Sequence, residues 1–298
     1  MILIGQLAAI GTAFSFAITS TLFTLSSREV GSPLINRSRL LVGIVLTIIL
    51  HWILMGSVIP TNVGNERWFW LGLSGFIGLA LGDACLFQAF VMIGPRISML
   101  LMSFAPVLGA LIAWVTLGEH LAGIEIIGIV LIVGGIVVVV MERSEIQSTL
   151  PRRQYLLGLL FGFGGAMGQA GGAVLTKIGL EGDFPALSGN LIRLSVAFIM
   201  IWGFTILRGQ TVSSFQRLKA NPKATKLMIG GAITGPFLGV WLSLIAVQNT
   251  DVGVASALIG LTPIFLLPIA YVVFKESISR QAIAGTLIAV IGTIVLFL

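Results

Sequence analysis

The chain has 298 residues, 57% of them hydrophobic and only 9% charged, with a mean hydropathy of +1.08. So little charge cannot cover the solvated face of a water-soluble domain, and long apolar runs with 37 glycines point to packed transmembrane helices. The net charge of +6 sits in short connections between apolar runs. That is the pattern of membrane topology, and the basic–aromatic array of a nucleic-acid reader is missing.

Further classes fall away residue by residue. Cys85 is the single cysteine, so no intramolecular disulfide can form. His51 and His120 stand apart from each other and from any metal-ligand spacing. No nucleophile, general base or metal constellation is visible, so neither catalysis nor a cofactor is expected. The opening run MILIGQLAAIGTAFSFAITSTLF lacks a basic leader and is as long as a full span, which favours a first transmembrane helix over a cleaved signal peptide.

A bilayer core of about 30 Å needs roughly 20 apolar residues per helix. On that ruler spans are expected at 2–23, 34–56, 68–91, 97–117 and 122–141, then at 155–177, 186–207, 226–247, 253–274 and 279–298. Residues 142–154 carry both signs of charge and Pro151, and form the natural linker between a first half (1–141) and a second (155–298).

In chain order, the second span opens with Asn36 and Arg39, and the seventh with Asn190 and Arg193. Spacing i, i+3 puts each pair on one helical face. An arginine inside a span is costly unless paired or watered. These arginines either line a path for an anionic or zwitterionic solute or snorkel to headgroups, since they lie near span ends. Arg37 reads as an interfacial anchor. Asp83 lies inside the third span. It is a candidate to carry a coupling proton or hold a cationic group, or else a structural partner for Arg37, Arg39 or Arg193. Gln169, among the glycines of the sixth span, is a weaker polar candidate. Pro106 and Pro263 fall near the middle of the fourth and ninth spans. Each lacks the N–H that would bond back to Met102 or Ile259, and the freed carbonyl must find a partner or face a cavity. Paired interrupted helices of this kind point to a midplane substrate site, while the bland alternative is a packing kink. Glu119 and Glu276 follow those spans and read as caps or loop ion pairs, with Lys275 and Arg280 close to the latter. Glycines four residues apart pave the third, sixth and eighth spans, which lets helices approach closely. Trp68, Trp70, Trp114, Trp202 and Trp241 read as interfacial belt residues.

The chain also repeats itself. Pro95 to Val140 recurs as Val252 to Phe297 without a gap. Pro106 pairs with Pro263, Glu119 with Glu276, Gly128 with Gly285 and Gly135 with Gly292, all offset by 157 positions. Gly78 and Gly82 match Gly235 and Gly239 at the same offset, whereas Asp83 falls opposite Val240. Gly11 and Ala13 match Gly164 and Ala166 at a slightly smaller offset. Five spans per half is an odd number, so tandem copies must lie in the membrane with opposite orientation. Basic residues concentrate in connections after odd-numbered spans, which by the positive-inside rule places both termini outside.

The segments SFAPVLGALIAWVTLGEHL with GIVLIVGG, and GLTPIFLLPIAYVVFKESI with GTLIAVIGTI, resemble the EamA-domain families of the drug/metabolite transporter superfamily. The resemblance covers essentially the whole chain. It implies an all-α integral membrane protein of ten transmembrane helices, arranged as two inverted five-helix repeats around a central cavity. Such proteins carry amino acids, other small metabolites, drugs or nucleotide sugars, by export or exchange. Characterised relatives have cytoplasmic termini, whereas the loop charges here argue the reverse. The expectation is a multi-pass plasma-membrane transporter with a small-molecule substrate and the lipid bilayer as its partners, working by alternating access with Asp83 as the proton-coupling candidate. A non-transporting scaffold or lipid-binding subunit is the alternative, and exchange of phosphorylated metabolites or nucleotide sugars is a second mode within transport.

Overall fold

The computed structural model describes residues 2–61, 63–117, 123–141, 151–182, 184–249 and 258–296. All regular structure among them is helical. The first half contains α1 (Ile2–Val30), α2 (Ser32–Met55), α3 (Asn65–Ser74), a π-helical segment (Gly75–Gly82), α4 (Asp83–Leu101), α5 (Phe104–Leu117) and α6 (Gly123–Met141). The second contains α7 (Arg152–Gly179), α8 (Ala186–Leu207), α9 (Thr211–Ala220), α10 (Pro222–Ala232), a second π-helical segment (Ile233–Gly239), α11 (Val240–Asn249), α12 (Thr262–Phe274) and α13 (Arg280–Leu296). Among the described residues seven helical stretches are long and apolar enough to cross a membrane, and α12 and α13 are shorter apolar helices beside them. Large apolar side chains such as Leu3, Leu7, Ile53, Val130 and Leu160 point outward along these helices. In lipid only a helix bonds all its own backbone groups, which is why such runs fold this way.

The helices are held at glycines. A Cβ on Gly128 would meet the backbone of Gly292 and Leu296, and one on Gly135 would lie 2.4 Å from the Ala289 nitrogen and 2.5 Å from the Gly285 oxygen. Gly128 faces Gly292 while Gly135 faces Gly285, so α6 and α13 run antiparallel with their backbones touching. A second seam joins the first π segment to α7, where Gly78 meets Gly172 and Gly82 meets Gly168. A third joins the second π segment to α1, where Gly235 meets Thr19 and Gly239 meets Phe16. The two π segments sit at matching places in the repeat, around Gly78 and Gly82 and around Gly235 and Gly239. The wider turn brings a helical backbone closer to its neighbour than an α-turn with side chains allows.

Two expectations change. The third span ends in a sharp break at Gly94 (φ 80°), between the expected third and fourth spans, and the short helix that follows it stops at Leu101, inside the expected fourth span. Pro95 drives the preceding residue out of the α region, and glycine takes the positive φ without strain. The chain turns again at Met102–Ser103. The prolines therefore do not bend helices in their middles: Pro106 lies in the first turn of α5 and Pro263 in the first turn of α12, where a missing N–H is tolerated. The carbonyls expected to be freed are bonded. Met102 O accepts from Ala105 N at 2.9 Å, and Ile259 O accepts from Thr262 Oγ1 at 2.7 Å.

Glu276 is also not a simple cap. It lies in the loop between α12 and α13, 5% exposed, and its Oε2 is 3.1 Å from Arg96 Nε. The distance is that of an ion pair, without the alignment of a hydrogen bond. Arg28 completes the cluster, stacked over Phe274 at 5.0 Å. Arg96 and Arg28 belong to the first half and Glu276 to the second, so the cluster ties the halves together at one end of the bundle. Trp202 is buried and donates to Arg37 O at 3.0 Å, so it is not a belt residue. Arg37 is buried too and donates to Gln210 Oε1 at 3.4 Å, in place of the interfacial anchor expected. Glu119 and most of the 142–154 linker lie outside the described residues.

Adjacent glycines give a direct test of the seam. Gly134 has open space where a Cβ would go, whereas Gly135 has backbone. Gly134→Ala should leave the thermal midpoint of the detergent-purified protein unchanged, and Gly135→Ala should lower it or abolish the folded monomer, as overpacking costs about 1–3 kcal/mol. The Glu276 carboxyl gives a pH signature. Burial pushes it above the usual carboxylate range, against the pull of Arg96 and Arg28. A carboxyl that holds its proton more tightly when folded adds stability that is complete below its ordinary value of about 4.3 and fades as pH rises through the shifted one. Thermal midpoints recorded across that window should decline more steeply for the wild type than for Glu276→Gln.

Candidate functional site

A cavity of about 350 Å³ opens between the halves. Its wall is drawn from α1, α2, the first π segment, α4, α7, α8, the second π segment and α11. Phe16, Phe23, Phe87 and Phe90 with Met99 and Met102 supply apolar lining. Arg39, Asp83, Gln169, Asn190 and Arg193 supply its polar lining. A second hollow of about 290 Å³ shares Phe16, Met99 and Met102 with the first and reaches Pro106, Thr262 and Pro263. The two symmetry-related prolines thus line one space.

The polar wall is an ordered network. Arg39 Nε donates to Asn36 Oδ1 at 3.1 Å, one turn back on α2. One Arg39 Nη donates to Leu79 O at 3.3 Å and also ion-pairs with Asp83 Oδ2. The guanidinium stacks over the Phe87 ring at 5.0 Å. Asp83 Oδ1 accepts from Gln169 Nε2 at 2.8 Å. Asn36 Nδ2 reaches Ala80 O at 3.4 Å, so Asn36 braces Arg39 from behind and is not itself on the wall. The carbonyls of Leu79 and Ala80 turn toward these donors from within the first π segment, where the wide turn loosens the usual ladder.

Arg193 differs from its repeat partner. It is largely enclosed and crosses the first π segment, with one Nη 3.6 Å from where a Gly78 Cβ would be. Its Nε is buried without a hydrogen-bond partner. Asp83 acts on it through space, but both Asp83 oxygens already accept from Arg39 and Gln169.

All eight candidate side chains sit where the two halves meet, with seven on a cavity wall and Asn36 behind one. Several neighbours were invisible to pattern reading. The aromatic and methionine lining lies in runs that are apolar on every face, so periodicity does not single it out. Thr19 and Thr234 share a hydrogen bond at 2.8 Å across the α1 seam. His51, isolated in the sequence, is buried, with its Nδ1 donating to Ser57 O at 2.6 Å and its Nε2 2.9 Å from Ser188 Oγ. Arg96 carried a readable signal, a lone cation directly after Gly94–Pro95 in an apolar run.

The chain is similar to a protein of known crystal structure at 18% sequence identity, over 98% of this chain and 95% of that one, with a TM-score of 0.65. At that identity the likeness speaks for the fold alone. No curated protein matches the chain. The sequence profile of the EamA-like transporter family matches residues 3–141 and, a second time, residues 156–298. The two matches cover both halves that the glycine and proline spacing marks out, and the chain belongs to the EamA-like transporter family.

Proposed function

We propose that this protein is a secondary transporter that moves a small organic solute by alternating access. The observation that carries the reading is the cavity between the halves, lined by aromatic and methionine side chains together with a few charged and amide groups. Ten membrane helices in two inverted five-helix repeats account for the pairing of contacts. Gly128–Gly292 and Gly135–Gly285 exchange under the 157-residue offset, as does the first π segment with the second. An antiparallel pair that maps onto itself is what a two-fold axis in the membrane plane produces.

The proposed motion rocks one repeat on the other along the glycine seams. The Arg96–Glu276 contact, with Arg28 beside it, closes one face, and solute leaves through that face only when the pair separates. Buried charges resist separation until water or a counter-ion replaces each partner, which gives the closed state its definition. Asp83 is the sole acidic side chain among the residues lining the larger cavity. A proton carried through that cavity on a side chain is carried there.

Proteoliposomes loaded at one pH and diluted into another test the coupling. Asp83→Asn should abolish pH-driven uptake. Because removing one partner of a buried pair costs about 3–5 kcal/mol, the double variant Arg39→Gln with Asp83→Asn, which removes both charges, should show the same loss while folding normally. Unchanged pH-driven uptake in either variant would reduce Asp83 to a counter-ion for Arg39.

A further inference from the structure

Three ionisable side chains line the larger cavity, two cationic and one acidic, so that with Asp83 deprotonated one positive charge is left over. Arg39 and Asp83 neutralise one another, with Asn36, Leu79 O and Gln169 completing their hydrogen bonds. Arg193 remains, with one nitrogen buried and bonded to nothing among the described residues. An enclosed guanidinium without a partner is expensive in a membrane interior. The cheapest way to satisfy it is an anion. Arginine presents a planar fork of donors that matches a carboxylate with two parallel hydrogen bonds.

We propose that Arg193 is the anchoring site for the carboxylate of a small, partly apolar monoanionic organic acid. The inference rests on the transport reading above and narrows its solute. A monoanion brings the cavity to neutrality. A phosphate dianion leaves it negative and has no second uncommitted cation among the lining residues. A zwitterionic amino acid gains the guanidinium but finds no free carboxylate for its ammonium, because both Asp83 oxygens are taken. The body of the acid meets Phe16, Phe23, Phe87, Phe90, Met99 and Met102, which reward apolar bulk and aromatic stacking. Asn190, one helical turn before Arg193 on the same wall, is placed to hydrogen-bond a carbonyl or hydroxyl next to the carboxylate.

The test is a matched series on the full-length protein in detergent and chloride-free buffer: phenylpropionate, its uncharged amide, the corresponding amine and phenylalanine, with acetate and benzoate to vary bulk. Phenylpropionate and benzoate should raise the thermal midpoint in a concentration-dependent way and acetate far less, while amide, amine and phenylalanine should do little. Arg193→Gln should weaken the carboxylates about tenfold to a hundredfold, the worth of hydrogen bonds to a charged group. Arg193→Lys, which keeps the cation, should recover part of that loss and guards against reading misfolding as lost binding. Equal stabilisation by acid and amide, no stabilisation by any acid, or an undiminished response in Arg193→Gln overturns the proposal. Flux separates it from the reading beneath it. Carboxylates that bind through Arg193 yet never cross a vesicle wall keep the site and sink transport, whereas saturable flux indifferent to solute charge keeps transport and sinks the site.

Discussion

Helices immersed in lipid gain little by turning apolar side chains toward one another, because the surrounding tails are as apolar as leucine. What holds them is close contact of backbones, and here that contact is made at glycine. Gly128 and Gly135 on α6 lie directly against Gly292 and Gly285 on α13, with Cβ positions occupied by the partner's peptide atoms. The other seams, at Gly78–Gly172 and Gly235–Thr19, use π-helical turns to reach the same intimacy. These contacts fix where the halves touch, and so also where they do not. The space left between them is the cavity.

Charge sets the second constraint. In a low-dielectric interior each ionised side chain needs a partner, and the chain supplies one for Arg39 in Asp83 and for Arg96 in Glu276. Both pairs break the internal symmetry of the repeat. Asp83 stands where the second half has Val240, so two arginines that match in sequence are chemically unlike: one neutralised, one exposed to the cavity. The shared scaffold builds the hollow, and the unshared residues set the charge of its lining.

Much of this was legible in the residues before any coordinates. The repeat offset singled out Gly128, Gly135, Gly285 and Gly292 as counterparts, though not that they meet crosswise at the α6–α13 seam, and it paired the prolines that share a hollow. The cost of intramembrane charge marked Arg39, Arg193 and Asp83. What pattern reading got wrong has a common cause, because periodicity speaks of one helix at a time. It placed breaks at Pro106 and Pro263, whereas the chain breaks just before them, at Met102–Ser103 and ahead of Thr262, so that the prolines start fresh helices. It gave Glu276 its neighbours in sequence, Lys275 and Arg280, when the partner is Arg96 from the other half. It sent Trp202 to the membrane surface, though its indole N–H is held by Arg37 O. Each of these depends on which helices pack together, and in runs apolar on every face no sequence signal carries that.

The central claim is that the two halves move against each other around the cavity and that the Arg96–Glu276 contact closes one face. Cysteines introduced at positions 96 and 276 in a Cys85→Ala background, joined by a reducible thiol cross-linker, test it most directly. Proteoliposomes would be loaded with whichever solute from a metabolite panel most raises the thermal midpoint. The account predicts saturable flux in the reduced protein, arrest on cross-linking and recovery on reduction. Flux that continues at the same rate with the two positions tied together would contradict it.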